Sequence, residues 1–210
     1  MRPIERCLLR HGYAVLNLGY PSRSADVRGL ADRIARAIDA WGQERPLDFV
    51  THSLGGILLR QAVASGALAA DRVRRAVMLG PPNTGSELAD RLRAMPIIGA
   101  TYRRFTGPAG AQLGTGDESA PARLPPVTFQ TGIIAGTRSY NPFFSALLGA
   151  PNDGKVRVER THVEGMQDFI ALPYWHPLLM VPPTVHRQIL HFLAAGQFQH
   201  EPLGERPSHG

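Results

Sequence analysis

Residues 48–60, DFVTHSLGGILLR, restrict the fold more than any other stretch of this 210-residue chain. A short apolar strand runs into Thr-His-Ser-Leu-Gly-Gly and a helix follows at once. A chain that passes from strand to helix within about one residue must turn sharply, and its backbone then lies close to its neighbours, so small residues are favoured on either side of the turn. Gly55 meets that need on the far side. Thr51 stands on the near side, where glycine is usual, so the turn has to accommodate a Cβ and γ atoms there. Such a turn lifts the Ser53 hydroxyl above the strand ends. It also leaves Leu54 N–H at the start of a helix, where the first amides lack intrahelical acceptors and the helix dipole favours negative charge. The simpler role for Ser53 is a helix N-cap, its side chain accepting from the first turn. His52 is adjacent to Ser53, and neighbouring residues in such a turn point apart, which suits a structural or pocket-lining role.

The surrounding pattern alternates helix and strand. Residues 2–11 read as a short helix closed by Gly12, and YAVLNLGY (13–20) as a buried strand. Val27, Leu30, Ile34, Ala37, Ile38 and Trp41 recur at helical spacing across 25–41. Strands at 47–51 and 73–80 flank a helix over 54–66. Residues 81–126 interrupt this rhythm with many glycines and prolines and two short helical stretches, 85–94 and about 97–104. A connection this long between strands is more often a functional insertion, such as a lid, than a plain linker. A fourth strand is expected at 127–136, weaker ones at 155–159 and 168–172, and a last amphipathic helix at 183–195. The alternation implies parallel strands joined by helical crossovers in one domain, residues 1–198, with a polar, disordered tail over 199–210.

Composition narrows the partners. The hydrophobic fraction of 43% and charged fraction of 19% are those of an ordinary globular domain. The net charge is +6, but the arginines are scattered, Lys155 is the only lysine, and no nucleic-acid-binding motif accompanies the charge. No nucleic-acid partner is therefore expected. The basic balance would favour an anionic membrane surface, yet no basic amphipathic helix supports that contact. Cys7 is the single cysteine, so no intrachain disulfide can form. The start of the chain lacks a signal peptide's apolar stretch and no run is long enough for a membrane span, which gives a cytoplasmic location as the default expectation.

A serine hydroxyl is a weak nucleophile and needs a histidine base oriented by a carboxylate. Asp153, in the turn sequence PNDGK, is the first candidate acid, with an ordinary Asp-Gly turn residue as the bland alternative and Asp168 as the rival acid. His176, in LPYWHPLLM, is the candidate base. It follows an apolar strand-like segment and precedes the last helix. His162 is its rival, while His186 and His191 lie on the final helix and read as structural.

With these residues in view, the chain resembles the lipase/esterase-like branch of the bacterial α/β-hydrolases. The resemblance rests on RPIERCLLRHGYAVLNLGYPSR, VTHSLGGILLR, VMLGPPNTGSELAD, GIIAGTRSYNP, NDGKVRVERT and EGMQDFIALPYWHPLLM, which together cover most of residues 2–195. It implies an α/β-hydrolase fold, with a mostly parallel sheet flanked by helices. It also implies Ser53 as nucleophile, Asp153 as acid, His176 as base, Leu54 N–H as an oxyanion donor, and no metal or organic cofactor. Pro81, Pro82 and Asn83 match a segment near the mouth of the family's site. The implied substrate is a small-molecule or lipid ester, and for Met95, Pro96, Ile97, Ile98, Tyr102 and Phe105 of the insertion two roles stand equally, covering an acyl pocket or simply capping the sheet.

The resemblance also implies an apolar strand and a His-Gly loop ahead of the first helix. The sequence opens inside that helix, so the strand and the second oxyanion donor are expected to be missing, leaving a gap in the sheet with unpaired edges. Loss of one donor of this kind costs on the order of 10²–10³ in turnover. A start lying upstream, or a degraded paralogue, would account for the gap. Three functions fit these residues: hydrolysis of carboxylic esters, transfer of the acyl group to another acceptor by the same residues, and non-catalytic binding on the same fold.

Overall fold

The computed structural model describes residues 1–42, 44–95, 106–140, 148–149 and 151–200. Four parallel strands stand in chain order across one sheet: β1 (Leu47–His52), β2 (Val73–Leu79), β3 (Gln130–Gly136) and β4 (Asp168–Leu172). Parallel strands need long crossovers, and here helices supply most of them. The main helices are α1 (Arg2–Arg10), α2 (Val27–Ala40), α3 (Leu54–Ala64), α4 (Glu87–Ala94) and α5 (Pro183–Ala195).

The alternation of side chains along β2 and β3 builds two cores. Val77, Leu79 and Ile134 point to one face, where they meet Ile4 and Leu8 of α1 and Val185, Ile189, Phe192 and Leu193 of α5. Ala76, Met78 and Ile133 point to the other, against Ala31 and Ile38 of α2 and Leu59 and Ala62 of α3. Strands covered on both faces carry near-continuous apolar runs, which is why VRRAVML and QTGIIAG are legible as strands.

The expected helices at 2–11, 25–41, 54–66 and 183–195 form with small shifts at their ends, as do the strands at 47–51, 73–80, 127–136 and 168–172. Two expected strands do not form. Residues 13–20 form neither helix nor strand, are half-buried in part, and pair with no strand among the described residues. Among the described residues the backbone of 14–20 makes no hydrogen bond. The sequence has the apolar content of a central strand, but a strand also needs a hydrogen-bonded neighbour, and among the described residues it has none. Residues 155–159 do not join the sheet either. They hold one isolated bridge, Asn152 to Arg157, and then enter a 3₁₀ turn, Val158–Thr161. Ion pairs from Arg157 and Arg160 to Glu87 capture the end of this stretch.

The insertion between β2 and β3 is anchored at both ends. Of its two expected helical stretches, 85–94 forms as α4 (Glu87–Ala94), with Ser86 as N-cap, whereas 97–104 and all the expected acyl-pocket residues except Met95 lie outside the described residues. Arg60, buried on α3, donates to Asn83 O and Oδ1 at 2.9 and 3.2 Å and to the carbonyls of Leu124 and Pro125 at 3.2 Å each. Burial lowers its pKa to about 10, so it stays charged at neutral pH. Of the expected tail, Gln199 N donates to Gln188 Oε1 and His200 Nε2 lies 2.9 Å from Asp168 Oδ1, while residues 201–210 lie outside the described residues. No helix among the described residues is long and apolar enough to cross a membrane.

Arg60→Met removes the donors that hold the ends of the insertion and leaves the buried Asn83 carbonyl and the part-buried Leu124 and Pro125 carbonyls without them. The expected loss of stability is about 2–3 kcal/mol, read from the urea unfolding midpoint of the variant against the parent chain.

Candidate active site

At the carboxyl end of β1 the chain turns into α3 through Ser53, which has φ 55° and ψ −123°. It is the only non-glycine residue with positive φ among the described residues. A conformation of this kind costs on the order of 1–3 kcal/mol and persists only where the surroundings enforce it. Here the enforcement is visible. Ser53 N donates to Leu79 O at the end of β2, 2.8 Å away, and Ser53 O accepts from Gly56 N at 3.1 Å. The Ser53 side chain makes no capping bond to the helix, so the N-cap arrangement considered above is not the one adopted.

Thr51 fits because of its neighbours. A Cβ at Gly55 would sit 3.4 Å from Thr51 Cβ, a close but ordinary contact. The tighter place is Gly56, where a Cβ would come within 3.1 Å of Pro81 Cβ and 3.2 Å of Met78 Sδ. The demand for a small residue therefore falls hardest on the second glycine of the pair. Leu54 N–H, the first amide of α3, has no acceptor among the described residues.

His176 and Asp153 come together from loops after β4 and β3. His176 Nδ1 lies 2.6 Å from Asp153 Oδ2, and the two side chains are 1% and 0% exposed. A carboxylate so completely removed from water needs compensation. Asp153 Oδ1 receives it from the amides of Lys155 and Val156, at 3.0 and 2.8 Å, and Asp153 O accepts from His176 N at 3.0 Å. With Nδ1–H donated to the carboxylate, the neutral imidazole presents a lone pair at Nε2. That nitrogen is buried and has no hydrogen-bond partner among the described residues. No hydrogen bond joins it to Ser53 Oγ.

Glycines at the strand ends make room for this pair. A Cβ at Gly80, which has φ +54°, would lie 3.0 Å from both Asp153 Oδ2 and His176 Nδ1. A Cβ at Gly136, the last residue of β3, would lie 2.7 Å from Asp153 Cβ and 2.5 Å from Tyr174 O. The carbonyl of Leu79 holds Ser53 and the next residue, Gly80, touches the pair, so all three side chains gather at the same end of β2. Neither glycine was singled out by the motif, because their role lies in contacts from distant loops.

His52 also belongs to this cluster. Its Nε2–H donates to His176 O at 3.0 Å, and the two imidazole rings lie 4.8 Å apart. Burial first, and then the neighbouring His176, lowers the His52 pKa to about 4. It is neutral at pH 7 and acts as a prop beneath His176. The rival residues lie elsewhere. Asp168 opens β4, at the opposite end of the sheet, where it accepts from Phe198 N and contacts His200. His162 is stacked on Phe169 with centroids 4.2 Å apart. His186 and His191 contact the backbone carbonyls of Met180 and Gln197. Among the described residues no cluster of His, Cys, Asp and Glu could hold a metal ion.

Residues 4–109, which include the Ser53 turn, match the sequence profile of a family described as a domain of unknown function, DUF7379. The chain belongs to the DUF7379 family. No curated protein sequence matches it. Among solved structures it is similar to the Bacillus licheniformis lipase BlEst2 in its propeptide form, at 20% identity and a TM-score of 0.73, over 97% of this chain and 47% of that one. The mature form of the same lipase matches at 20% identity and a TM-score of 0.68, over 92% of this chain and 83% of that one. A metagenomic carboxyl esterase, MGS0156, matches at 21% identity and a TM-score of 0.60, over 81% and 57%. The DUF7379 chain thus has the α/β-hydrolase fold, and it spans about half the length of the propeptide form it matches.

The buried neutral state of His52 gives stability a pH dependence. Below its ordinary pKa of 6.5 the unfolded histidine binds a proton that the folded one, at about 4, does not. Stability therefore falls as pH drops from about 6.5 to 4. His52→Gln keeps an N–H donor without a titration and flattens that part of the curve, as urea midpoints measured across this window will show.

Proposed function

We propose that this DUF7379 chain is a serine hydrolase that cleaves carboxylic esters through an acyl-enzyme on Ser53. The observation that carries the reading is the buried His176–Asp153 pair with an unpartnered Nε2, gathered at the same strand end as a serine held in a strained turn. Strain stored at one half-buried turn and a basic nitrogen left without a partner both cost stability. Such costs concentrate where chemistry is done.

In this reading, Ser53 Oγ attacks the ester carbonyl carbon while His176 Nε2 takes the hydroxyl proton. Asp153 holds the ring through Nδ1 and stabilises the imidazolium that forms. The carbonyl electron pair moves onto oxygen, where Leu54 N–H and the positive end of α3 face the developing charge. The tetrahedral intermediate collapses, the alcohol leaves with the proton from Nε2, and the acyl group stays on Ser53. Water then attacks with the same proton relay, releasing the acid and restoring the serine. The similarity to solved structures named as a lipase and a carboxyl esterase supports an ester as substrate, small or lipid.

The test is hydrolysis of p-nitrophenyl esters by the chain and its variants, with folding checked by circular dichroism. Ser53→Ala and His176→Ala are each expected to lower kcat by about 10³-fold or more, and Asp153→Asn by a similar order. A Ser53→Ala chain as active as its parent would refute the nucleophile.

A further inference from the structure

Ser53 and His176 are held by different parts of the chain. Ser53 is fixed by the bond from its amide to Leu79 O and by its place at the head of α3. His176 is fixed to the Asp153 loop, through Nδ1 and Asp153 Oδ2 at 2.6 Å and through its amide and Asp153 O at 3.0 Å. Among the described residues a single hydrogen bond runs directly from the segment 47–64, which carries Ser53, to the segment 173–181, which carries His176. It is the bond from His52 Nε2–H to His176 O, at 3.0 Å. His52 immediately precedes Ser53, so this bond links the nucleophile's neighbour to the base's own carbonyl.

We propose that His52 is a positioning residue for the reaction: its Nε2–H, bonded to the carbonyl of His176, sets the distance and angle between Ser53 Oγ and His176 Nε2. This role rests on the acyl-enzyme reading of Ser53. Proton transfer from Oγ needs the base within about 2.6–3.2 Å, and a misplacement of about 1 Å can cost about 10²-fold in rate. No hydrogen bond joins the two reacting atoms among the described residues, so their alignment falls to the backbone that carries them. The chemistry of the bond is specific. A carbonyl oxygen only accepts, so Nε2 of His52 carries the proton and Nδ1 keeps the lone pair. Bulk alone does not call for an imidazole here. The ring is half-buried and lies 4.8 Å from that of His176, a space a phenyl ring would fill without desolvating a polar group. What the imidazole adds is a donor at its far nitrogen. Glutamine carries an N–H at about the same reach from the backbone, whereas asparagine stops at the position of Nδ1. The donor is thus separable from the volume.

The test compares His52→Gln, His52→Phe and His52→Asn in the whole chain, each checked for folding by circular dichroism and assayed with a p-nitrophenyl ester well below its thermal midpoint. His52→Phe and His52→Asn are expected to lower kcat at least about tenfold with KM within about twofold, while His52→Gln stays within about threefold of the parent. A second readout needs no turnover: the downfield proton resonance of His176 Nδ1–H, bonded to the Asp153 carboxylate. Loosening of the His176 loop opens that proton to water, so its exchange should quicken at least about tenfold in the Phe and Asn variants and hold in the Gln variant. If His52→Phe does not fold, His52→Asn carries the comparison. Equal kcat in the Phe, Asn and Gln variants would overturn the proposal, as would an unchanged exchange rate in the Phe and Asn variants. A Gln variant as impaired as the Phe variant would also overturn it, because the ring and not its donor would then be required. A parent inactive toward the ester, or one whose activity survives Ser53→Ala, would strike the acyl-enzyme reading instead, and the exchange rates would still decide whether His52 holds the His176 loop.

Discussion

A carboxylate with no solvent exposure is held in place by three donors: His176 Nδ1–H and the amides of Lys155 and Val156. Removing any of them would leave the buried carboxylate only partly compensated in a low-dielectric interior. The loop that carries Asp153 must therefore be fixed as firmly as a strand, although it belongs to no sheet. Its position is set by the strand ends beneath it. Gly80 and Gly136 lack the Cβ atoms that would collide with Asp153, and Gly80 lacks the one that would collide with His176.

From that pair, the rest of the architecture can be traced outward. Asn83 links the loop after β2 to Thr161 O, Thr84 N donates to Arg160 O, and Ser86 Oγ donates to Lys155 O, two residues from the buried carboxylate. Arg60 ties the same loop to α3, the helix that Ser53 opens. The elbow helix, the loop after β2 and the Asp153 loop thus share one hydrogen-bond network. Below His176, the neutral ring of His52 supports its carbonyl.

The elements with strong local signals were legible in the sequence. Helical spacing in 25–41 and 183–195, and apolar runs at 47–51 and 73–80, became α2, α5, β1 and β2. The proximity of His176 to Asp153 was legible through their place between elements and through the resemblance to α/β-hydrolases. What failed depended on non-local pairing. YAVLNLGY has the composition of a central strand, but pairing is a property of its neighbours, and it lines a groove instead. KVRVE alternates like a strand, yet Glu87, some 70 residues earlier, pairs with its Arg157 and with Arg160 just beyond it. Gly80, Gly136 and the contact between His52 and His176 were invisible for the same reason. Each is defined by a distance in space between residues far apart in the chain.

The central claim is that Ser53 is a nucleophile activated by the buried pair. It is tested most directly by treating the folded chain with a fluorophosphonate probe and locating the adduct by tandem mass spectrometry. The account predicts a single phosphonylated residue, Ser53, with labelling slowed strongly when His176 is replaced by Gln. A folded chain that takes up no probe, or one labelled elsewhere with Ser53 untouched, would contradict it.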